Sequence, residues 1–346
     1  MSHHLRANLA LGRQIGAGHF GEVFEGNDPV LGRVAIKILR KKSQEDDTYW
    51  QHRKQSLLRE GQRLKEAQHD QIVQVYQVLE SQDDNSIWLL MEYCERGSLQ
   101  DQFNQGPLSL LRLRTLLCDT ALGLQAIHAR GLIHRDIKPA NILISANNRA
   151  KLGDFGLVTD EFVLGYAKAY GYTDHLAKEV FDLGITSIRT DIWAFGMTAY
   201  RLLHGRQFYE ELMPPRKLVP EGKFARKLPW LPHIPNEWKR FIRQLMHDDP
   251  SKRVQNSNQI LHGLERLPTE PNWHCHYSSK QVNWTRTTKT RRIEVFWIRY
   301  SERKHEWEAR SLPLNTGRER RLDGSNRVIN YRAALEELQK FFERSG

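Results

Sequence analysis

One short stretch holds most of the reactive side chains: His134-Arg135-Asp136-Ile137-Lys138-Pro139-Ala140-Asn141-Ile142-Leu143, followed by Asp154-Phe155-Gly156. Two carboxylates, one amide and one ammonium suit the handling of a polyanion and a small divalent cation. Asn141 and Asp154 supply hard oxygen donors of the kind Mg²⁺ takes. Asp136 would accept or orient the proton of an attacking hydroxyl, and Lys138 would sit beside the phosphoryl group being transferred. Phosphoryl transfer asks for positioning and charge neutralisation more than for covalent chemistry. An ordinary polar loop has no reason to combine these groups.

Upstream lies Gly16-Ala17-Gly18-His19-Phe20-Gly21-Glu22-Val23. Glycines at these spacings let backbone N–H groups approach phosphate oxygens with no Cβ in the way. Such a pattern also marks dinucleotide-binding folds, where it follows a strand and opens a helix. Here residues 11–15 and 22–25 both read as strands, so a hairpin lid is expected. Val34-Ala35-Ile36-Lys37 then reads as a buried strand that carries one inward lysine. A buried Lys37 needs an anionic partner. Glu60 is the choice, on a helix expected from Thr48 to about Ala67, with Glu45 and Glu66 as competitors.

The elements that must position these groups follow from periodicity. Residues 9–91 read as strands with that one helix, whose Leu57, Leu58, Gly61 and Leu64 share a face. Residues 72–79 and 86–93 read as two further strands. From Leu108 the pattern is mostly helical, with helices expected at 192–203, 238–247 and 256–267. Pro268 and Pro271 bracket a domain boundary. Residues 268–346 carry 16 Lys and Arg against 10 Asp and Glu, which gives +6 of the chain's +11, and four of its nine tryptophans. A strand at 292–300 and a helix at 331–344 suggest a small α+β domain there. Its basic residues interleave with aromatics, as at Trp284-Thr285-Arg286, so nucleic acid is weighed as a partner. A protein partner is favoured. His274-Cys275-His276 has no second ligand pair at zinc spacing.

Hydrophobic residues at 39% and charged residues at 27% suit a globular protein. No apolar run approaches the roughly 20 residues that span a bilayer. The start of the chain lacks the apolar core of a signal peptide. Three scattered cysteines (Cys94, Cys118 and Cys275) argue for a reducing compartment. A cytoplasmic location with no membrane association is therefore expected, or a nuclear one in a cell that has a nucleus.

Taken in order, the glycine loop, the strand lysine, the His-Arg-Asp segment with its Asn, and Asp-Phe-Gly resemble the eukaryotic-type serine/threonine protein kinase family, over about residues 9–267. The resemblance implies an α+β, two-lobed protein kinase fold. It would have a β-rich N-lobe at about 9–93 and a mainly helical C-lobe at about 94–267. ATP would lie in the cleft with Mg²⁺, or Mn²⁺ as the alternative metal. In Leu90-Met91-Glu92-Tyr93-Cys94, Met91 matches the gatekeeper, and the backbones of Glu92 and Cys94 would bond adenine. Thr190-Asp191-Ile192-Trp193-Ala194-Phe195-Gly196 resembles the buried helix that anchors the catalytic loop through its aspartate. Asp249-Pro250 with Arg253 resembles the motif whose arginine pairs with Glu179.

The chain departs from the family at Ala177-Lys178-Glu179, where Ala-Pro-Glu is usual, and at Gly171-Tyr172-Thr173, where Gly-Thr is usual. Lys138 implies serine or threonine as acceptor, with protein substrates. Arg135 implies a phosphate on the activation segment, for which Thr159, Tyr166, Tyr170 and Thr173 are candidates. The expected division is a kinase domain at 1–267 and a basic, Trp-rich accessory domain at 268–346. The alternative function is a pseudokinase or nucleotide-binding scaffold acting through its C-terminal domain. The presence of Lys37, Asp136, Asn141 and Asp154 together speaks against that alternative.

Overall fold

The N-lobe is built on an antiparallel sheet of order β1-β2-β3-β5-β4, formed by Ala10–Gly18 (β1), Gly21–Asp28 (β2), Gly32–Leu39 (β3), Val75–Glu80 (β4) and Ile87–Glu92 (β5). In this computed structural model, residues 10–18, 21–43, 45–81, 85–154, 173–212 and 214–345 are described. Helix α1 (Asp47–Glu66) starts where the Asp46 side chain accepts the Tyr49 N–H, a standard N-cap. Its Gly61 packs directly on the sheet, where a Cβ would lie 3.1 Å from Val78 Cγ2 and 3.2 Å from Leu89 Cδ2. That close approach explains why a glycine sits on the helix's apolar face.

The C-lobe consists mainly of helices: α2 (Leu99–Gln105), α3 (Leu110–His128), α4 (Lys178–Leu183), α5 (Ile188–Glu210), α6 (Pro215–Leu218), α7 (Phe224–Lys227), α8 (Asn236–Leu245) and α9 (Ser257–Glu265). A small hairpin, β6 (Ile142–Ile144) with β7 (Ala150–Leu152), follows the His-Arg-Asp segment. Every residue of α5 from Thr190 to Tyr200 is buried. A helix apolar on all sides belongs at the centre of a domain. It starts four residues before the expected 192–203. Ser187 and Thr190 form a capping box upstream, and at Gly205 (φ 72°, ψ 168°) the backbone leaves the helical region, so the first helix stops and a second segment continues to Glu210. A Cβ at Gly205 would lie 2.5 Å from the Gly106 carbonyl carbon, so only glycine fits that bend.

The C-terminal segment is an antiparallel meander, β8 (His274–Tyr277), β9 (Gln281–Thr287), β10 (Arg291–Ser301), β11 (Lys304–Pro313) and β12 (Arg320–Gly324), closed by helix α10 (Tyr331–Arg344). The inner face carries Trp284, Trp297 and Trp307 against Leu338, Phe341 and Phe342 of α10. This core does not stop at the expected boundary but is continuous with that of the C-lobe. Trp284 Nε1 donates to His233 Nδ1 at 2.9 Å, and Trp238 Nε1 donates to the Pro268 carbonyl at 2.8 Å. Tyr277 packs edge-on against Phe208 and its hydroxyl donates to Glu211 at 2.7 Å. The tryptophans at 273, 284, 297 and 307 are at most 3% exposed, so none offers a face on which a base could stack.

Candidate active site

Between the lobes lies a cleft of about 680 Å³, lined among others by Gly16, Val23, Ala35, Lys37, Met91, Glu92, Cys94, Asn141 and Asp154. Nine of the site residues expected from the sequence thus line one cleft, from five separate segments. Ala17, Gly18, Gly21 and Glu22 complete the hairpin above it, in the register Gly16↔Val23, Ala17↔Glu22 and Gly18↔Gly21. Gly21 has a φ of 131°, and a Cβ there would lie 2.4 Å from the Ile38 carbonyl oxygen. The Glu22 carboxylate is bound by Arg40, so Glu22 offers the cleft only its backbone. His19 and Phe20 lie outside the described residues. Val73 and Leu143 also line the cleft. Both were missed in the sequence, although Leu143 is two residues past Asn141 on a short apolar strand. A depression of similar volume, about 620 Å³, lies at residues 28–31 and 74–77, and none of Lys37, Asp136, Asn141 and Asp154 lines it.

Lys37 is buried at the centre of β3, and its ammonium pairs with the Asp154 carboxylate across the cleft. The Glu60 side chain lies outside the described residues. The two competing glutamates are engaged or remote. Glu45 pairs with Arg53 at 2.9 Å, and Glu66 is exposed at the end of α1. Burial alone would raise the Asp154 pKa. The charge and hydrogen bond of Lys37, then Lys138 and His134, outweigh that and hold it below the ordinary carboxylate value. Cys94, at the hinge, is pushed up to about 12 by burial first and by Glu92 next, so it stays a thiol.

Asp136 stands at the floor of the site. Lys138 Nζ donates to its Oδ2 at 2.7 Å, and Asn141 Nδ2 donates to the same oxygen and to the Asp136 carbonyl, both at 2.8 Å. Among the described residues, Asn141 therefore keeps its side-chain oxygen for a metal ion, and Asp154 keeps the oxygen not bound to Lys37. Two hard oxygens in one cleft fit a divalent cation such as Mg²⁺.

The loop is suspended from α5. Asp191, 1% exposed, accepts the His134 N–H at Oδ2 and the Arg135 N–H at Oδ1, both at 2.8 Å. His128 of α3 lies 2.8 Å from the same Oδ2. These contacts hold Arg135 at a φ of 68°, left-handed backbone that costs a non-glycine residue on the order of 1 kcal/mol or more. Asp154 is left-handed too, at 53°. The His134 ring donates from Nε2 to the Gly153 carbonyl at 3.1 Å and accepts the Asp136 N–H at Nδ1, at 3.3 Å. It thereby ties the two acidic segments together. Burial is the main cause of its lowered pKa, which keeps it neutral.

Arg253 grips Glu179 with both arms, at 2.6 and 3.0 Å, as the resemblance implied. Lys178, where proline is usual, occupies the first position of α4. Proline is favoured there because that N–H has no intrahelical partner. Lys178 instead pairs with Asp182 at 2.8 Å and donates to the Pro220 carbonyl at 3.0 Å. Thr159, Tyr166 and Tyr170, like Phe155, Gly156, Gly171 and Tyr172, lie outside the described residues, as does the side chain of Thr173. A neighbouring group gave no sequence signal. Arg201 donates to His175 at 2.6 Å and lies over the rings of Phe103 and Tyr209, whose hydroxyl donates to Asp174 at 2.8 Å.

Among the described residues no cluster of His, Cys, Asp and Glu has metal-site geometry, and no helix is long and apolar enough to cross a membrane. Residues 9–263 match the model of the protein kinase domain. The chain is 32% identical over 277 residues to the hormonally up-regulated neu tumor-associated kinase homolog A of Xenopus laevis, covering 76% of this chain and 39% of that protein. It is 32% identical over 269 residues to serine/threonine-protein kinase pkn2 of Myxococcus xanthus, covering 73% of this chain and 31% of the relative. The chain thus spans well under half the length of these curated relatives. With the family's motifs in order and its cleft assembled, this chain belongs to the protein kinase family.

Proposed function

We propose that the protein transfers the γ-phosphoryl group of Mg-ATP to serine or threonine hydroxyls of other proteins. What carries this is the convergence of Lys37, Asp154, Asn141 and Asp136 on one cleft, with Lys138 on Asp136 at 2.7 Å. Lys37 would anchor the phosphates, and the N–H groups of the glycine hairpin would cover them. The Met91–Cys94 backbone would hold the adenine. Asn141 and Asp154 would hold Mg²⁺, which when bound would neutralise phosphate charge. Asp136 would orient the acceptor hydroxyl and take its proton, and Lys138 would steady charge on the group in transit. The same arrangement favours turnover over a scaffold role, because none of the reactive side chains is missing.

We further read residues 268–346 as an accessory unit fused to the catalytic domain, and expect autophosphorylation within residues 155–173, with Arg135 as the partner of the phosphate. The test is incubation with radiolabelled ATP, Mg²⁺ and a generic basic protein. Wild type should label the substrate and itself, whereas Asp136→Ala should label neither. Equal labelling by the two proteins would remove Asp136 from the mechanism. Loss of self-labelling in a Thr159/Tyr166/Tyr170/Thr173 variant should accompany a fall in activity.

A further inference from the structure

Helix α8 has two unlike faces. Trp238, Phe241, Ile242 and Leu245 are buried against the C-lobe. The opposite face presents Asn236, Arg240, Arg243 and Gln244, a helical spacing that puts two guanidinium groups one turn apart. Lys223 and Arg226, next to and on α7, approach from the side, and His247 follows the end of α8. Together they line a concavity of about 540 Å³.

Several arginines elsewhere in this basic chain have carboxylate partners, as in Arg253–Glu179, Arg149–Asp119 and Arg299–Glu211. Here, among the described residues, none of Arg226, Arg240 and Arg243 has one. The sole carboxylate in the lining is Asp248, and it already accepts the backbone N–H of Lys223. Arg243 is held over Trp230, 5.7 Å from the ring centroid, and its Nε is buried with no hydrogen-bond partner. Neighbouring Lys239 has a lowered pKa, through burial first and the Arg243 charge second. Like charges one helical turn apart destabilise a helix, so a ligand that neutralises them gains on both counts.

We propose that this concavity is a phosphate-binding site that takes a phosphorylated side chain of a protein. Guanidinium forks match phosphate oxygens in a bidentate way that lysines do not. A pocket of this size suits one phosphorylated residue with its neighbours. A nucleic-acid strand is the poorer fit, because Trp230 is buried beneath Arg243 and leaves no aromatic platform for bases. The site is separate from the catalytic cleft and does not depend on the activity proposed above.

The test is fluorescence anisotropy of the full chain with a labelled pentapeptide, Ala-Gly-Ser-Ala-Gly, with and without phosphate on its serine. The comparison proteins are the double variant Arg226→Gln/Arg240→Gln, both at exposed positions, and Arg243→Lys, which keeps the charge but loses the fork. Wild type should prefer the phosphopeptide at least tenfold. The double variant should lose at least tenfold in affinity with an unchanged thermal midpoint and unchanged labelling of the generic substrate. Arg243→Lys should fall between. Equal binding of the two peptides overturns the proposal, and so does a double variant that binds like wild type. Tighter binding of a ten-residue oligothymidylate that the double variant loses also overturns it, by making the site one for nucleic acid.

Discussion

Replacing Asp191 with asparagine separates anchoring from chemistry. The asparagine is the same size, but its side chain has one acceptor oxygen where the carboxylate has two. Wild-type Oδ1 receives the Arg135 N–H, and Oδ2 receives the His134 N–H with His128 beside it, all at 2.8 Å. Whichever way the amide turns, its NH₂ faces at least one N–H donor. One buried donor left unsatisfied costs about 1–3 kcal/mol, and the lost charge assistance adds on the order of 1 kcal/mol. A destabilisation of about 2–4 kcal/mol is expected in urea unfolding. The larger effect should be on rate. Arg135 keeps its left-handed backbone only while both bonds hold it, and Asp136 is the next residue. A shift of about 1 Å in a catalytic group costs about 10²-fold. Steady-state phosphoryl transfer should therefore show kcat down about 10²-fold, with KM for ATP within about threefold, because the Lys37–Asp154 pair is untouched. A variant destabilised as expected but with kcat within threefold of wild type would refute the idea that Asp191 sets the position of Asp136.

Other outcomes follow from the same geometry. Arg253→Leu leaves Glu179 charged and largely buried, so it should cost about 3–5 kcal/mol, and adding Glu179→Leu should restore part of that in thermal unfolding. Trp284→Ala removes a side chain with no exposed surface and should cost about 3–5 kcal/mol, lowering the midpoint of the whole chain and not of the tail alone. His204 and His233 are both pushed from 6.5 to about 3, by burial above all. The unfolded chain binds protons at the higher value, so stability is intact above about pH 6.5 and declines as pH falls toward 3. At pH 5 each should have lost roughly 2 kcal/mol, measurable as a falling urea midpoint between pH 7 and 5. A flat profile across that interval would mean that the two rings are not buried neutral. Cys94, with its pKa near 12, should resist iodoacetamide at pH 7.5 and be alkylated only after unfolding.

What was legible in the sequence was local. The Asp136, Asn141 and Asp154 set, the inward Lys37 and the glycine hairpin are short motifs, and all come to one cleft. Helix α1 matched its expected span to within a residue at each end, because its apolar stripe and the Asp46 cap agree. Helix α5 was read as starting four residues late because a helix buried all round has no polar face to mark its first turn. The contact through which Asp191 reaches back more than fifty residues to the catalytic loop was anticipated only through the resemblance carried by Thr190–Gly196. The contact that stayed hidden joins Trp284 to His233, about as far back in the chain, and neither of those residues carries a local signature. Pro268 and Pro271 were read as a boundary because composition changes there, but aromatic packing across it leaves no trace in composition.

The continuity of that core has a consequence for cooperativity. A linker between independent domains can be cut, and the pieces drift apart. Here Trp238 holds the Pro268 carbonyl, and Tyr277, Trp284 and Arg299 clasp the catalytic lobe from the far side. A proteolytic nick between residues 268 and 271 would leave two fragments that remain associated and melt together, whereas either one expressed alone would present the aromatic seam to water and aggregate.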